Sequence, residues 1–228
     1  MNKTIWMCWF QGEKHKSLCR LNRKCINRWK GLNPTWQVNV LSNDTIADYV
    51  PEYFDIIERS PKRTLAAKSD LLRILLLQKF GGVWVDASVY PALPIEDFIS
   101  DILNDVGFFT YRFFPRSLKR NSGRETVSWF MCVDRQNHYL IEKWKVMFVN
   151  KFKNLKRWKT FAFHEALSSL YDSDEKIKQI IDNMVQIDQR IPHSARPKVL
   201  KKFPEHPLKS YVYKRPARLG ILKKPNEH

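Results

Sequence analysis

No apolar stretch in this sequence approaches the roughly 18 residues that a bilayer-spanning helix needs; the longest candidates are Ile5 to Phe10 and Ile74 to Leu77. A membrane span is therefore not expected. The short run after Lys3 is followed by no small-residue cleavage site, so a secretory leader is not expected either. Cysteine is sparse and scattered: Cys8, Cys19, Cys25 and Cys132 form no Cys-x-x-Cys pair and have no clustered histidines. This excludes a zinc knuckle and a disulfide framework and predicts reduced thiols in a cytoplasmic setting. Internal repeats, low-complexity tracts and heptads are missing as well, which argues against solenoids and coiled coils. Acidic residues are outnumbered, with 23 Asp and Glu against 40 Lys and Arg, for a net charge of +17. A surplus of that size calls for an anionic partner or a solubility role.

What is present suits a packed enzyme-sized domain. The 228 residues are 43% hydrophobic and 13% aromatic, enough for a core and too much for a disordered chain. At about 150 residues per domain, the length predicts one domain plus an appendage, or one large domain. Thr4 to Phe10 reads as a buried strand, residues 16 to 30 as a basic helix, and Trp36 to Leu41 as a second strand after the Asn33-Pro34 turn. Ser42 to Thr45 offers cap chemistry for a short helix stopping before Pro51. Ser60 and Pro61 mark the start of a long helix to Phe80, which Gly81-Gly82 ends. Val83 to Val85 then forms a short strand, with Asp86-Ala87-Ser88 at its carboxyl end and Pro91 and Pro94 beyond. Strands at Val106 to Tyr111 and Thr126 to Val133, and helices at Tyr139 to Phe152, Phe161 to Leu170 and Glu175 to Met184, complete an α/β pattern. From Arg190 onward eleven basic residues face two acids, and six of the twelve prolines occur there. The expected division is a domain over 1–190 and a basic, proline-rich segment over 191–228 that packs on it or extends from it.

Asp70 and Arg73 lie three apart on the predicted helix and so share a face, with Leu71, Leu72, Leu75 and Leu76 supplying an apolar stripe. On spacing alone this is a surface ion pair worth a few tenths of a kcal/mol. The segment that follows changes the picture, because Asp86 and Ser88 are delivered to a carboxyl edge of a sheet, where ligands bind in open α/β folds. A carboxylate there can hold a hard divalent cation, which in turn neutralises a diphosphate. Read alone, Asp-x-Ser is as compatible with a loop-capping turn.

The residues Ala67-Lys68-Ser69-Asp70-Leu71-Leu72-Arg73 followed by Gly81-Gly82-Val83-Trp84-Val85-Asp86-Ala87-Ser88 resemble the core of the capsular-polysaccharide-synthesis and glycosyltransferase family 32-like sugar transferases. The opening Ile5-Trp6-Met7-Cys8-Trp9-Phe10-Gln11-Gly12 and the Asn33-Pro34 turn are similar too, and the resemblance covers residues 3 to 190. It implies a GT-A, Rossmann-like fold with a central mixed, mostly parallel sheet flanked by helices. It also implies transfer of a hexose or deoxyhexose from a nucleotide-diphosphate sugar, most often UDP-linked, to a glycan or lipid-linked glycan, with Mn²⁺ or Mg²⁺. By that resemblance Trp9, Phe10 and Gln11 lie at the donor, with Trp9 stacking on the base. Ser69, Asp70 and Arg73 hold the donor sugar, Trp84 packs nearby, and Asp86, Ala87 and Ser88 form the metal and ribose segment. The catalytic set is Asp86, Asp70 and Arg73, and the metal set is Asp86 and Ser88 with His193 as a candidate further ligand or phosphate contact, the alternative for His193 being a solvent-exposed loop histidine. Many relatives carry Asp where this chain has Ser88, and a neutral hydroxyl is a poorer ligand for a hard cation.

Asp134, at a strand end, is the best of a poor field of general bases, and a retaining reaction, which the resemblance suggests, needs none. His164 reads as a structural helix histidine. The basic runs at 112–124, 143–159 and the C-terminus suit a solvated surface, donor steering or contact with an anionic membrane in a membrane-peripheral protein. A single-stranded nucleic-acid binder is the competing class, but no binding motif supports it and nucleic acid is not the expected partner. A catalytically inactive relative, with Ser88 marking lost metal chemistry, is the third reading.

Overall fold

The computed structural model describes residues 1–112, 126–187 and 212–214. Five strands form one sheet in the order β2-β1-β3-β6-β5: β1 is Thr4–Cys8, β2 Gln37–Leu41, β3 Gly82–Val85, β5 Phe108–Arg112 and β6 Thr126–Val133. β1 lies parallel to β2 and to β3, whereas β6 runs against β3 and β5 against β6. The sheet is mixed as expected, but parallel and antiparallel pairings are equal in number, so it is not mostly parallel. Strand direction is decided by long-range pairing, which local apolar patterning does not encode.

Both faces of the sheet are covered, and residues alternate between two cores along each strand. Trp6, Trp84, Met131 and Val133 point into the core shared with α3 (Glu52–Glu58), α4 (Leu65–Phe80), α6 (Tyr139–Asn154), α7 (Ala162–Ser173) and α8 (Glu175–Asn183). Ile5, Met7, Val83, Val85, Phe130 and Cys132 point the other way, towards α1 (Arg20–Leu32) and α5 (Ile99–Leu103). The remaining elements are the short α2 (Ile46–Tyr49), a 3₁₀ turn at Ile95–Asp97 and a two-stranded ribbon of β4 (Val89–Pro91) and β7 (Val212–Lys214). That antiparallel ribbon ties 212–214 of the basic C-terminal segment to 89–91; the rest of that segment lies outside the described residues.

The long helix begins later than Ser60-Pro61. Thr64 is its N-cap, its hydroxyl accepting from the Ala67 amide at 3.2 Å, while Ser60 donates back to the Ile56 carbonyl and so finishes the preceding α3. The short α2 stops before Pro51 as expected, with Val50 as its C-cap, and Pro51 is in turn the N-cap of α3, consistent with proline's tolerance at a helix start. The α4 helix is also enclosed on every side, with each residue from Asp70 to Leu77 buried, so the one-sided stripe gives way to a central helix.

Gly81 and Gly82 turn the chain from α4 into β3 at φ +66° and +88°. A Cβ on Gly82 would lie 2.6 Å from the Thr4 carbonyl oxygen, so only glycine lets β3 enter the sheet beside β1 here. Among the described residues no helix is long and apolar enough to cross a membrane. All four cysteines are free.

Candidate active site

The carboxyl ends of β1 and β3 and the amino-terminal half of α4 converge on a cleft of about 370 Å³. From β1 come Cys8 and Trp9; from α4, Ala66, Ser69, Asp70 and Arg73; from β3 and its turn, Trp84, Asp86, Ala87 and Ser88. The turn is closed by backbone bonds: the Asp86 amide donates to the Trp129 carbonyl and the Val89 amide to the Asp86 carbonyl, each at 2.9 Å. Asn22 of α1, Ser128 of β6 and the stretch Thr160, Phe161 and His164 line the remaining walls.

Arg73 stands at the centre. Its guanidinium donates to Asp70 Oδ1 through Nη1, and through Nη2 to Asp86 Oδ1 at 3.1 Å and Ser69 Oγ at 3.3 Å. The Trp84 indole also donates to Asp86 Oδ1, at 3.1 Å. Arg73 lies over the Trp84 ring at 5.0 Å and the Phe163 ring at 5.7 Å, so both rings attract the cation. The Asp70–Arg73 pair is thus a buried one, with side chains 12% and 5% exposed. Asp86 keeps 29% of its side chain exposed and is the more open of the two carboxylates that line the cleft.

Burial pushes the Asp70 carboxyl up to about 6, with Arg73 opposing the rise and Asp86 adding to it. Burial likewise raises the Cys8 thiol to about 12, so Cys8 is a neutral wall of the cleft and not a thiolate nucleophile. The charge balance has a chemical consequence. Arg73 is the only Lys or Arg lining the cleft among the described residues, and it already serves two carboxylates. An anion entering here adds negative charge that no other lysine or arginine among the described lining residues opposes.

Among the described residues no three metal-ligating side chains cluster, so the site does not suit a cation enclosed by protein. It does suit a hard cation held through the partly exposed Asp86 carboxylate and the Ser88 hydroxyl, with water and substrate phosphate supplying the other ligands, as is usual for magnesium. His193 lies outside the described residues.

Eight of the ten residues expected at the donor line one cleft: Trp9, Ser69, Asp70, Arg73, Trp84, Asp86, Ala87 and Ser88. Phe10 and Gln11 do not; Phe10 packs against the hydrophobic core and Gln11 is exposed in the turn after β1. The Trp9 indole donates to Ser17 Oγ at 3.0 Å, which fixes its ring at the cleft wall. Asp134 is misplaced for a base at this cleft. Because β6 is antiparallel to β3, its carboxyl end pairs with Gly82, at the end of β3 away from Asp86. Sequence reading missed Ala66, although its spacing of three to Ser69 and seven to Arg73 puts it on the same helix face. Asn22, Ser128, Thr160 and Phe161 carry no local signal of their placement, and His164 proves to be a lining residue.

The family model described as "Capsular polysaccharide synthesis protein" matches residues 1–216. An O-glycosyltransferase, braB, of Annulohypoxylon truncatum is 24% identical over 180 residues, covering 74% of this chain and 42% of that protein. An initiation-specific alpha-1,6-mannosyltransferase of Candida albicans is 27% identical over 106 residues, 43% of this chain and 27% of that protein. The chain therefore spans less than half the length of these curated relatives. Among solved structures, a glycosyltransferase involved in the glycosylation of the major capsid of PBCV-1 superposes with a TM-score of 0.51 at 15% identity, covering 92% of each chain. That likeness is one of fold, and the mixed sheet with flanking helices is the GT-A arrangement.

Proposed function

The chain belongs to the capsular polysaccharide synthesis protein family, and from that premise we propose that it is a glycosyltransferase moving a hexose or deoxyhexose from a nucleotide-diphosphate sugar to a glycan or lipid-linked glycan. The observation that carries this reading is Arg73 braced between Asp70 and Asp86 in the cleft at the carboxyl edge of the sheet. The mannosyltransferase and O-glycosyltransferase among its relatives support the sugar class, and the family resemblance favours a UDP-linked donor.

The residues divide the work by chemistry. Trp9 offers an aromatic face to the base. Asp70 and Arg73 present an acceptor and fixed donors to the sugar hydroxyls. Asp86 and Ser88 would hold Mn²⁺ or Mg²⁺, which when bound would supply neutralisation of the charge gathering on the leaving diphosphate. In the transfer the bond from anomeric carbon to diphosphate oxygen breaks, the acceptor oxygen bonds the same carbon, and the acceptor proton leaves to the phosphate or to water. Arg73 fixes the Asp86 carboxylate through one Nη2 contact and so sets the edge that meets the diphosphate.

The test is protection against thermal unfolding by a panel of nucleotide sugars, each with and without Mn²⁺. A cation-dependent rise for one nucleotide class, with slow hydrolysis of that donor, is expected. Absence of any rise across the panel would overturn the reading.

A further inference from the structure

The cleft opens beside a basic rim that the donor site does not use. Seven lysines and arginines and no acid occur between Glu142 and Glu165, and no acid occurs between Arg59 and Ser69. The fold brings these two segments together through Arg63. Its guanidinium donates to the Phe152 carbonyl at 2.6 and 2.9 Å and to the Leu155 carbonyl at 2.7 Å, and it lies over the Trp158 ring at 4.8 Å. The start of α4 is thereby fastened to the loop after α6, directly beside Ala66, Thr160 and Phe161 of the cleft wall.

Arg63 is buried by this work; its neighbours are not. Lys62, Lys156, Arg157 and Lys159 are exposed, and so is Leu65, at 59%. Among the described residues Lys62, Lys156 and Arg157 form no ion pair, and Lys159 approaches Glu165 only at 3.9 Å. We infer that this rim is a docking surface for an anionic phospholipid bilayer, which would seat the mouth of the cleft at the membrane surface. The side chains favour a bilayer over a soluble acidic glycan. Saccharides are gripped by open aromatic faces, whereas the ring this rim offers, Trp158, is covered by Arg63. What remains outward is a set of ammonium and guanidinium groups with one aliphatic side chain, the chemistry that meets lipid headgroups and the upper acyl region. The docking surface stands on charge and exposure alone; only its consequence, an acceptor presented at the membrane, rests on the transferase reading.

The test is co-sedimentation of the full chain, without nucleotide, with phosphatidylcholine vesicles that contain or lack phosphatidylglycerol. Binding is expected only to the anionic vesicles and falls as salt rises. The triple variant Lys156→Glu, Arg157→Glu, Lys159→Glu is expected to bind well over about a hundredfold more weakly, since losing three surface cations at about fivefold each already gives that factor and the new carboxylates repel the bilayer. Its urea unfolding midpoint should match the wild type, which separates loss of docking from loss of fold. Lys156→Gln, Arg157→Gln, Lys159→Gln, which adds no repulsion, should fall in between. Wild-type binding to neither vesicle would overturn the inference. So would equal binding by the triple variant, which would assign the contact to other basic segments. Loss of affinity for soluble heparin with vesicle binding intact would also overturn it, and would make the rim a glycan surface.

Discussion

Replacing Arg73 with methionine removes the guanidinium that two carboxylates share while keeping most of the side-chain volume between the Trp84 and Phe163 rings. Breaking a buried pair on one side costs about 3–5 kcal/mol, because the surviving charge is left without compensation. Asp70 has one escape, which is to become neutral. Its carboxyl already stands at about 6 with Arg73 in place, and loss of the cation raises it further. At pH 5 the variant therefore carries a protonated Asp70 at little cost. At pH 8 each pH unit that separates the carboxyl from solution adds about 1.4 kcal/mol, so the deficit climbs towards the full buried-pair value. Urea unfolding of wild type and Arg73→Met at pH 5 and pH 8 reads this directly. The double variant Asp70→Asn, Arg73→Met should be less destabilised at pH 8 than Arg73→Met alone, since the orphaned charge is gone. A deficit below about 1 kcal/mol that does not change with pH would refute the reasoning and return the pair to the energetics of an exposed one.

Three further outcomes follow from the same geometry. In the wild type Asp70 has a folded pKa raised from 3.8 to about 6; its contribution to stability is full below pH 3.8 and is lost as pH rises through 6, so Asp70→Asn should flatten that part of the stability profile. Gly82→Ala places a Cβ 2.6 Å from the Thr4 carbonyl oxygen at φ +88° and should cost at least about 2 kcal/mol in chemical unfolding, whereas Gly31→Ala, with nothing within 4 Å, should be neutral or stabilising. Trp9→Ala should leave the unfolding midpoint close to wild type and weaken nucleotide binding about tenfold or more in calorimetry, the loss of one base-stacking face; unchanged affinity would remove Trp9 from the donor site.

The parts of the fold that could be read from sequence are those fixed by local chemistry. Thr126–Val133 coincides with its predicted bounds because it is an apolar run buried on both faces. The helix, Gly81-Gly82, strand and Asp86 succession was legible because two glycines at positive φ are the only local solution to that turn. The start of α4 was misread because Ser60 and Pro61 have cap-like chemistry, yet Ser60 belongs to the preceding helix and Thr64 holds the cap. The burial of Arg73 could not be read from its three-residue spacing to Asp70, since it comes from Trp84 one strand on and Phe163 ninety residues away. The position of Asp134 depended on the direction of β6, and a strand's alternation is the same in either direction. For the cleft, the α4 and β3 residues were legible as a motif, while Asn22, Ser128 and Thr160 reach it only through tertiary packing.

The proposed role of Asp86 is to bind a nucleotide diphosphate through a cation at the carboxyl end of β3. UDP with Mn²⁺ is titrated into wild type and Asp86→Ala, each first shown to unfold cooperatively. Binding to the wild type is expected to disappear on chelation and to be absent from the variant at any Mn²⁺ concentration. Equal binding by the two proteins, or binding by the wild type unaffected by chelation, would contradict it.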